Sequence, residues 1–457
     1  FFVRLFFVIL ELPFSLEGTI MTRLEKVRNS MKEQEIDGLI VYSPYNLRYL
    51  ANFTGTTGFA LITLTDAYFV TDARFYKDTD GSIYAGEMSF NHDLYKRYLK
   101  VFDKIYIIAR IFDGRNNLPK EHIVDNVEIL PLPAFCDVWG FLRKYNEVKR
   151  LMKQYLENKK DAIIIRGVGG VGFLASQYCM KQNINYGMEV IGDPYDTFVK
   201  EVIKHPLRTL FRYLFTYFQK KAVYHASSAI YVTQYALQKR YPTKIGRPSF
   251  FASDVFIDDD DIFPKQILTD KNRLDIICVG ELEDLRKSPD KCIHIIDEMN
   301  RRGIDTHLKW LGRGRYMERM RALTRKLAIE DKVQFLGSVQ RDAVDKHMDS
   351  SDVFLLLSHS EGLPRAMVEA MSRGLPCIGT NIGGISELLD DEFIVPTRDI
   401  YKTCDILQNL LKSPKIYRQQ SERNLMKAKQ YTNKILDKKR EEFYQTIKKK
   451  TYQNTNN

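Results

Sequence analysis

The sequence predicts an α/β protein built from two doubly wound, largely parallel sheets facing a cleft, with an extra α/β segment at the N-terminus. Three observations carry that prediction. From Phe75 onward short Val/Ile/Leu runs alternate with helical stretches, which describes parallel strands covered on both faces. VFDKIYIIAR, DAIIIR, NYGMEVIGD and SAIYVT suffice for one sheet, and LDIICVG, THLKWLG, KVQFLG, VFLLLS and LPCIGT for a second. Between the two groups lies YPTKIGRPSFFASDVFIDDDDIFPKQILTDKNR, rich in Pro and Asp and without periodicity, which reads as a connection.

Composition sets the outer limits. At 457 residues, 44% of them hydrophobic, the chain is long enough to bury the cores of two or three domains, and disorder is not the default. The net charge of +11 points either to an acidic partner, such as phosphate, nucleic acid or an anionic membrane surface, or simply to a basic soluble enzyme. The six cysteines stand far apart, without zinc or redox spacing, and read as reduced thiols of a cytoplasmic protein.

Taken in order, the opening FFVRLFFVILELPF is apolar but interrupted by Arg4 and Glu11, and its uncharged core falls short of the roughly 20 residues that span a bilayer. It reads as an apolar leader or read-through ahead of Met21. TRLEKVRNSMKEQE has helical spacing, IDGLIVYS reads as a buried strand, and GFALITLTDAYFVTDARF as a hairpin about Thr-Asp-Ala. MTRLEKVR, DGLIVYSPYNLRYLANFTG and YFVTDAR resemble the non-catalytic N-terminal domain of creatinases and Xaa-Pro peptidases, over about half of that domain. No counterpart of the peptidase's metal-binding catalytic domain follows, so no peptidase chemistry is carried over. The expected boundaries are 1–20 (leader), 21–74 (creatinase-like), 75–250 (first half), 251–272 (linker), 273–396 (second half) and 397–457 (helical tail).

The stretch VFLLLSHSEGLPRAMVEAMSRGLPCIGTNIGGISELL carries the chemistry. A strand ends at Ser358, a turn holds Glu361 and Gly362, Pro364 opens a helix and Gly374 closes it. Helix N-termini at the carboxyl ends of such strands present free amides to phosphate. Glu361 and Glu369 are eight residues apart. On a continuous helix that is a rise of about 12 Å, more than the roughly 5 to 9.5 Å of a hydrolytic carboxylate pair. The spacing fits two hydroxyl contacts along an extended ligand.

EGLPRAMVE with AMSRGLP and GGISEL resembles the signature of glycosyltransferase family four, the retaining enzymes of the GT-B fold with two Rossmann-like halves; the match extends over roughly residues 75–450. The resemblance implies that Glu369 binds the nucleotide ribose and Glu361 the donor sugar, with Gly362 and Leu363 beside them. ICVGELEDLRKSPDKCIHIIDEM is similar to the family's strand, glycine (Gly280) and phosphate-binding lysine. Lys287, with Arg286, would then stabilise the leaving diphosphate; an arginine often follows that glycine in the family, and Glu281 stands here instead. Gly383 and Gly384 are read either as amides approaching phosphate or as helix-capping glycines. Gly312 and Arg313 in WLGRGRYMERM are expected near the nucleotide, and Val339 in the base pocket.

DAIIIRGVGGVG and GMEVIGDPYD resemble N-terminal halves of polysaccharide-type members. Arg166, and Gly86 of the similarly matching DGSIYAGEMSF, are read as acceptor or phosphate contacts. Asp193 is read as a catalytic or acceptor contact, the alternative being a helix cap before Pro194. HPLRTLFRYLFTYFQKK reads either as a helix packed on the sheet or as one lying on an anionic membrane. No metal ligand set is implied, and the run of aspartates at 258–261 reads as a solvated linker.

The resemblance thus implies a UDP- or GDP-sugar as donor substrate, no cofactor, no nucleic acid, and a carbohydrate or lipid-linked acceptor at the inner face of the membrane. The rival reading is a degenerate, non-catalytic nucleotide-sugar-binding fusion protein.

Overall fold

The computed structural model describes 39–41, 60–62, 67–77, 83–85, 92–113, 126–135, 138–157, 161–167, 169–200, 202–203, 205–264, 273–397 and 399–455. The leader, the helix expected over 22–35 and Gly86 lie outside these residues. The chain falls into two compact units, one of Phe1–Ile165, Lys181–Tyr186 and Tyr444–Asn457, the other of Arg166–Met180 and Gly187–Phe443.

In the first unit β1 (Leu39–Val41) and β2 (Ala60–Ile62) form a small antiparallel ladder with Leu39 opposite Ile62. β3 (Ala67–Lys77) belongs to a different sheet, so the hairpin expected across Thr-Asp-Ala does not form. β4 (Ile83–Ala85) pairs antiparallel with the end of β3, while β5 (Ile105–Asp113) and β6 (Val127–Leu132) continue in parallel. With β7 (Ala162–Arg166) the order is β7-β3-β5-β6. The order explains the lost hairpin: β3 has β5 on one edge and β7 on the other, leaving no edge for β2.

That order is the start of a doubly wound sheet, with β3 as its first strand and the reversal of winding between β3 and β7. Phe75 of β3 is fully buried, as are Ile107, Ile108 and Ala109 of β5. Residues 444–455 close this unit, with Tyr444 4.9 Å ring to ring from Tyr98 and Lys448 donating 3.0 Å to the Val101 carbonyl.

The second unit carries β8 (Gly187–Val190), β9 (Ser228–Tyr231) and β10 (Ser249–Phe251), parallel in the order β10-β9-β8. It also carries a six-stranded parallel sheet of order β13-β12-β11-β14-β15-β16. Its strands are β11 (Arg273–Val279), β12 (Asp305–Leu311), β13 (Val333–Gly337), β14 (Val353–Leu356), β15 (Cys377–Thr380) and β16 (Ile394–Val395). β11 and β14 are near-continuous apolar runs because both sheet faces are covered by helices. Ile276, Cys278, Trp310, Val353 and Leu355 meet Ile293 and Ile296 of the helix Pro289–Arg301 in one core. Among the described residues no helix is long and apolar enough to cross a membrane.

Truncating a fully buried ring in a first strand leaves a cavity that a two-sided sheet cannot close. Phe75→Ala is expected to lower stability by about 3–5 kcal/mol, read as a shift of the urea midpoint at unchanged slope.

Candidate functional site

In the six-stranded sheet β12 and β13 lie to one side of β11, and β14 to β16 to the other. The loops after β11 and β14 therefore open side by side at the reversal point, where doubly wound sheets bind ligands. Both expected charge clusters sit there, on Gly280–Lys287 and on Ser358–Glu369.

The β11 loop explains its own glycine. The Lys287 side chain folds back across Gly280, so that a Cβ at Gly280 would run into the lysine stem. The ammonium of Lys287 donates 2.9 Å to the Val279 carbonyl. Burial pulls the Lys287 pKa below the usual lysine value, against the opposing pull of Glu361. Arg286 offers its backbone carbonyl to the His359 amide at 2.8 Å, which fastens the two loops together. Its guanidinium Nε is buried with no partner among the described residues. A cation with an unsatisfied buried donor next to a second cation is suited to an anion.

The β14 loop supplies amides and carboxylates. The Ser358 hydroxyl donates 2.8 Å to Glu361 Oε1, and the Ser358 carbonyl accepts 2.7 Å from Thr380 Oγ1 at the end of β15. The helix that follows, Arg365–Ser372, begins directly after Pro364, and Gly374 at φ +69° ends it. Ahead of the helix the amides of Gly362 and Leu363 have no hydrogen-bond partner among the described residues. Together with the open first turn they form a row of donors at the positive end of the helix dipole. Glu369 lies one turn into that helix, partly buried. Burial raises its pKa, which Arg365, Arg341 and Lys287 partly counter. Its carboxylate accepts no hydrogen bond among the described residues, which leaves both oxygens for hydroxyl donors.

Glycines hold these loops at backbone distance. Gly383 has φ +52°, and a Cβ there would collide with the Glu361 carbonyl. The Gly384 amide donates 2.6 Å to the Gly362 carbonyl and Gly384 precedes the short helix Ile385–Leu388, so the capping alternative holds and that amide is not open to phosphate. A Cβ on Gly362 would collide with the Ile191 carbonyl beyond β8. Gly312, at φ +138°, packs against the Gly280 carbonyl, and its amide donates 2.8 Å to Gly337. Arg313 is exposed and holds Leu282 through its carbonyl at 2.8 Å, while Val339 lies half-buried beyond β13.

Two expectations are corrected. Arg166 is sandwiched between carboxylates, bonding Glu189 at 2.7 Å and also Asp254, so its charge is already neutralised and it is no open phosphate ligand. Asp193 caps the turn Pro194–Thr197 by accepting from Tyr195 N at 2.9 Å, accepts from Tyr241 Oη at 2.5 Å and pairs with Arg240. With its oxygens so engaged in a buried setting, the capping alternative holds in place of the catalytic one. Glu387 of GGISEL was passed over in the sequence. Its carboxylate accepts from Gln234 N at 2.6 Å, from Tyr235 N at 2.7 Å and from Ala236 N, capping a helix about 150 residues upstream.

Comparison with known proteins agrees with this geometry. Residues 259–426 match the family model of glycosyl transferases group 1, and residues 23–116 match that of the creatinase/prolidase N-terminal domain. The second match takes in β1 to β5 and runs past residue 74. Protein CapJ of Staphylococcus aureus is 27% identical over 357 residues, 76% of this chain and 85% of the relative. Two further curated relatives are matched over only 32% and 48% of their own length.

Among solved structures, a sucrose-phosphate synthase from Thermosynechococcus elongatus superposes with TM-score 0.62 at 13% identity, covering 84% of this chain and 99% of that one. HepE of Anabaena, in complex with UDP and glucose, superposes with TM-score 0.54 at 14% identity, covering 86% and 100%. At such identities the likeness is one of fold, the GT-B arrangement of two Rossmann-like domains.

The raised pKa of Glu369 makes a pH prediction. Hydroxyl donors need the ionised carboxylate, so nucleotide affinity should weaken as pH falls while still above the ordinary glutamate value of 4.5, and Glu369→Gln should lose that dependence. Without ligand the sign reverses: the folded protein binds this proton more readily than the unfolded chain, so this group adds stability as pH falls through the raised pKa. Isothermal titration across pH, beside urea melts, measures both. Arg166→Ala should lower the melting temperature and leave nucleotide affinity unchanged, because it releases one buried and one half-buried carboxylate without touching the loop cations.

Residues 259–426 form a group 1 glycosyltransferase domain, and the chain is a glycosyltransferase that also carries a creatinase/prolidase-type N-terminal domain.

Proposed function

We propose that the protein transfers a sugar from a nucleoside diphosphate donor to a carbohydrate or lipid-linked acceptor in cell-surface polysaccharide synthesis, with retention at the anomeric carbon. The observation that carries this reading is the row of amides at Gly362 and Leu363, unpartnered among the described residues, just ahead of the helix Arg365–Ser372, with Lys287 and the under-satisfied Arg286 on the adjoining loop. A diphosphate suits that combination of point charge, fork and helix N-terminus. Glu369, with free oxygens, takes the ribose hydroxyls, and Glu361, held by Ser358, takes a sugar hydroxyl.

In this reading the residues act mainly by charge. As the bond from the anomeric carbon to the phosphate oxygen breaks, negative charge grows on the leaving diphosphate, and Lys287 and the amides would stabilise it. The leaving phosphate then accepts the acceptor hydroxyl's proton, so no further protein base is required. Arg166 and Asp193, both held in ion pairs, belong to the scaffold in this scheme. UDP is the first donor base to test, since HepE was solved with UDP and glucose.

A thermal-shift and turnover screen against UDP, GDP and their sugars tests the proposal. One nucleotide is expected to stabilise the protein by about 2.7 kcal/mol at a hundredfold excess over its Kd, with the shift lost in Glu369→Ala. Lys287→Ala is expected to lower kcat by about 10²–10³-fold, as loss of a donor to a developing oxyanion does. Stabilisation by no nucleotide would overturn the assignment, and binding without donor turnover would leave a nucleotide-sugar-binding protein.

A further inference from the structure

The helix Arg208–His225 has sorted its aromatic residues in a way the transferase reading does not use. Its phenylalanines pack inward: Phe218 stacks on Phe173 at 4.0 Å between ring centroids, Phe215 on Phe198 at 5.3 Å, and Phe211 lies 6.1 Å from Phe198. The buried positions are Thr216, Gln219, Ala222 and Val223. The opposite face exposes Leu207, Leu210, Tyr213, Leu214, Tyr217 and Tyr224, with Leu210 58% and Tyr217 58% exposed. Steps of three and four residues keep these six side chains on one stripe about 26 Å long. Packing of the phenylalanines on the fold accounts for one face of the helix and leaves the second apolar stripe uncovered.

Charge selects what covers the stripe. The helix contains no acidic residue, and Lys220 and Lys221 flank the exposed tyrosines on either side, in a chain of net charge +11. Tyrosine with lysine at the margin is the composition of a surface meeting the headgroup region of a bilayer, where ring edges stay hydrated and ammonium groups reach lipid phosphates. The helix is also tied to the site. Gln219 Nε2 donates 2.9 Å to the Gly192 carbonyl and Arg212 Nε 2.7 Å to the Tyr195 carbonyl, in the segment whose Ile191 carbonyl abuts Gly362.

We propose that this stripe docks the protein flat on an anionic lipid bilayer, so that the site faces an acceptor carried by a lipid in that bilayer. The acceptor half of this inference rests on the transferase reading, whereas the docking itself does not. Flotation of the full chain with vesicles of phosphatidylglycerol and phosphatidylcholine in equal parts, against phosphatidylcholine alone, is the test. Binding is expected only to the anionic vesicles, and it should fall at least tenfold in 0.5 M NaCl, at about half the physiological screening length. The same loss is expected in Leu210→Ser/Tyr217→Ser and in Lys220→Glu/Lys221→Glu.

Thermal melts of both variants should match the parent, since the substituted side chains are at the surface. No flotation of the parent, or flotation equal in both variants, would overturn the proposal. A dimer in sedimentation that Leu210→Ser/Tyr217→Ser dissolves would overturn it in favour of a second copy as the occupant. Nucleotide binding without flotation would sink the docking and spare the transferase, and flotation without nucleotide binding would do the opposite.

Discussion

The candidate site depends on backbone meeting backbone. Glu361 can present its carboxylate only because Gly383 lets the loop after β15 lie against the Glu361 carbonyl, and because the Gly384 amide fixes Gly362. Gly362 in turn has no side chain to push away the Ile191 carbonyl. Three segments from different parts of the sequence thus converge with no side chain between them. The adjoining loop is organised the same way, with Gly280 leaving the space that the Lys287 stem occupies and Gly312 closing on the Gly280 carbonyl. Glycine here is a condition of close approach, and the charged groups inherit their positions from it.

This explains which site residues were legible in the sequence. Glu361, Glu369 and Lys287 stand in contiguous motifs whose local geometry, strand then turn then helix, is fixed within about ten residues. Arg166 and Asp193 follow strands in the same manner, yet their roles are settled by distant partners. Asp254 lies 88 residues from Arg166, and Tyr241 lies 48 from Asp193. A charged residue at a strand end looks the same in sequence whether it awaits a ligand or is already paired. Glu387 was overlooked for the converse reason: its motif was visible, while the three amides it caps belong to residues 234–236.

Fold legibility follows the same rule. All nine apolar runs named from the sequence became strands, because strands covered on both faces must be apolar throughout. β6 escaped notice, being an edge strand with Pro131 in it and only partly buried, so neither its composition nor its periodicity stands out. The expected hairpin failed because short-range pattern reports that a segment is β-prone and not which partner it chooses. β3 pairs with β5 through residues 30 to 40 positions away. The creatinase/prolidase match covers β3 and β5, so that segment is part of the sheet and not an appendage to it.

The last helix brings a matter of timing. Tyr444 packs on Tyr98, Lys448 reaches the Val101 carbonyl, and Asn185 donates 2.9 Å to the Lys450 carbonyl. During synthesis the ribosome releases the first unit's strands long before residues 444–450 exist, so that unit waits, with Tyr98 and Phe102 uncovered, while some 260 further residues are made after Tyr186. At about 5–20 residues per second that is a delay of roughly 13 to 52 seconds. The second unit, whose chain is continuous from Gly187 to Phe443, is nearly complete by the time the first one can close. A nascent chain of this protein therefore finishes with its N-terminal portion, and holdase chaperones have most to protect at the end that is made first.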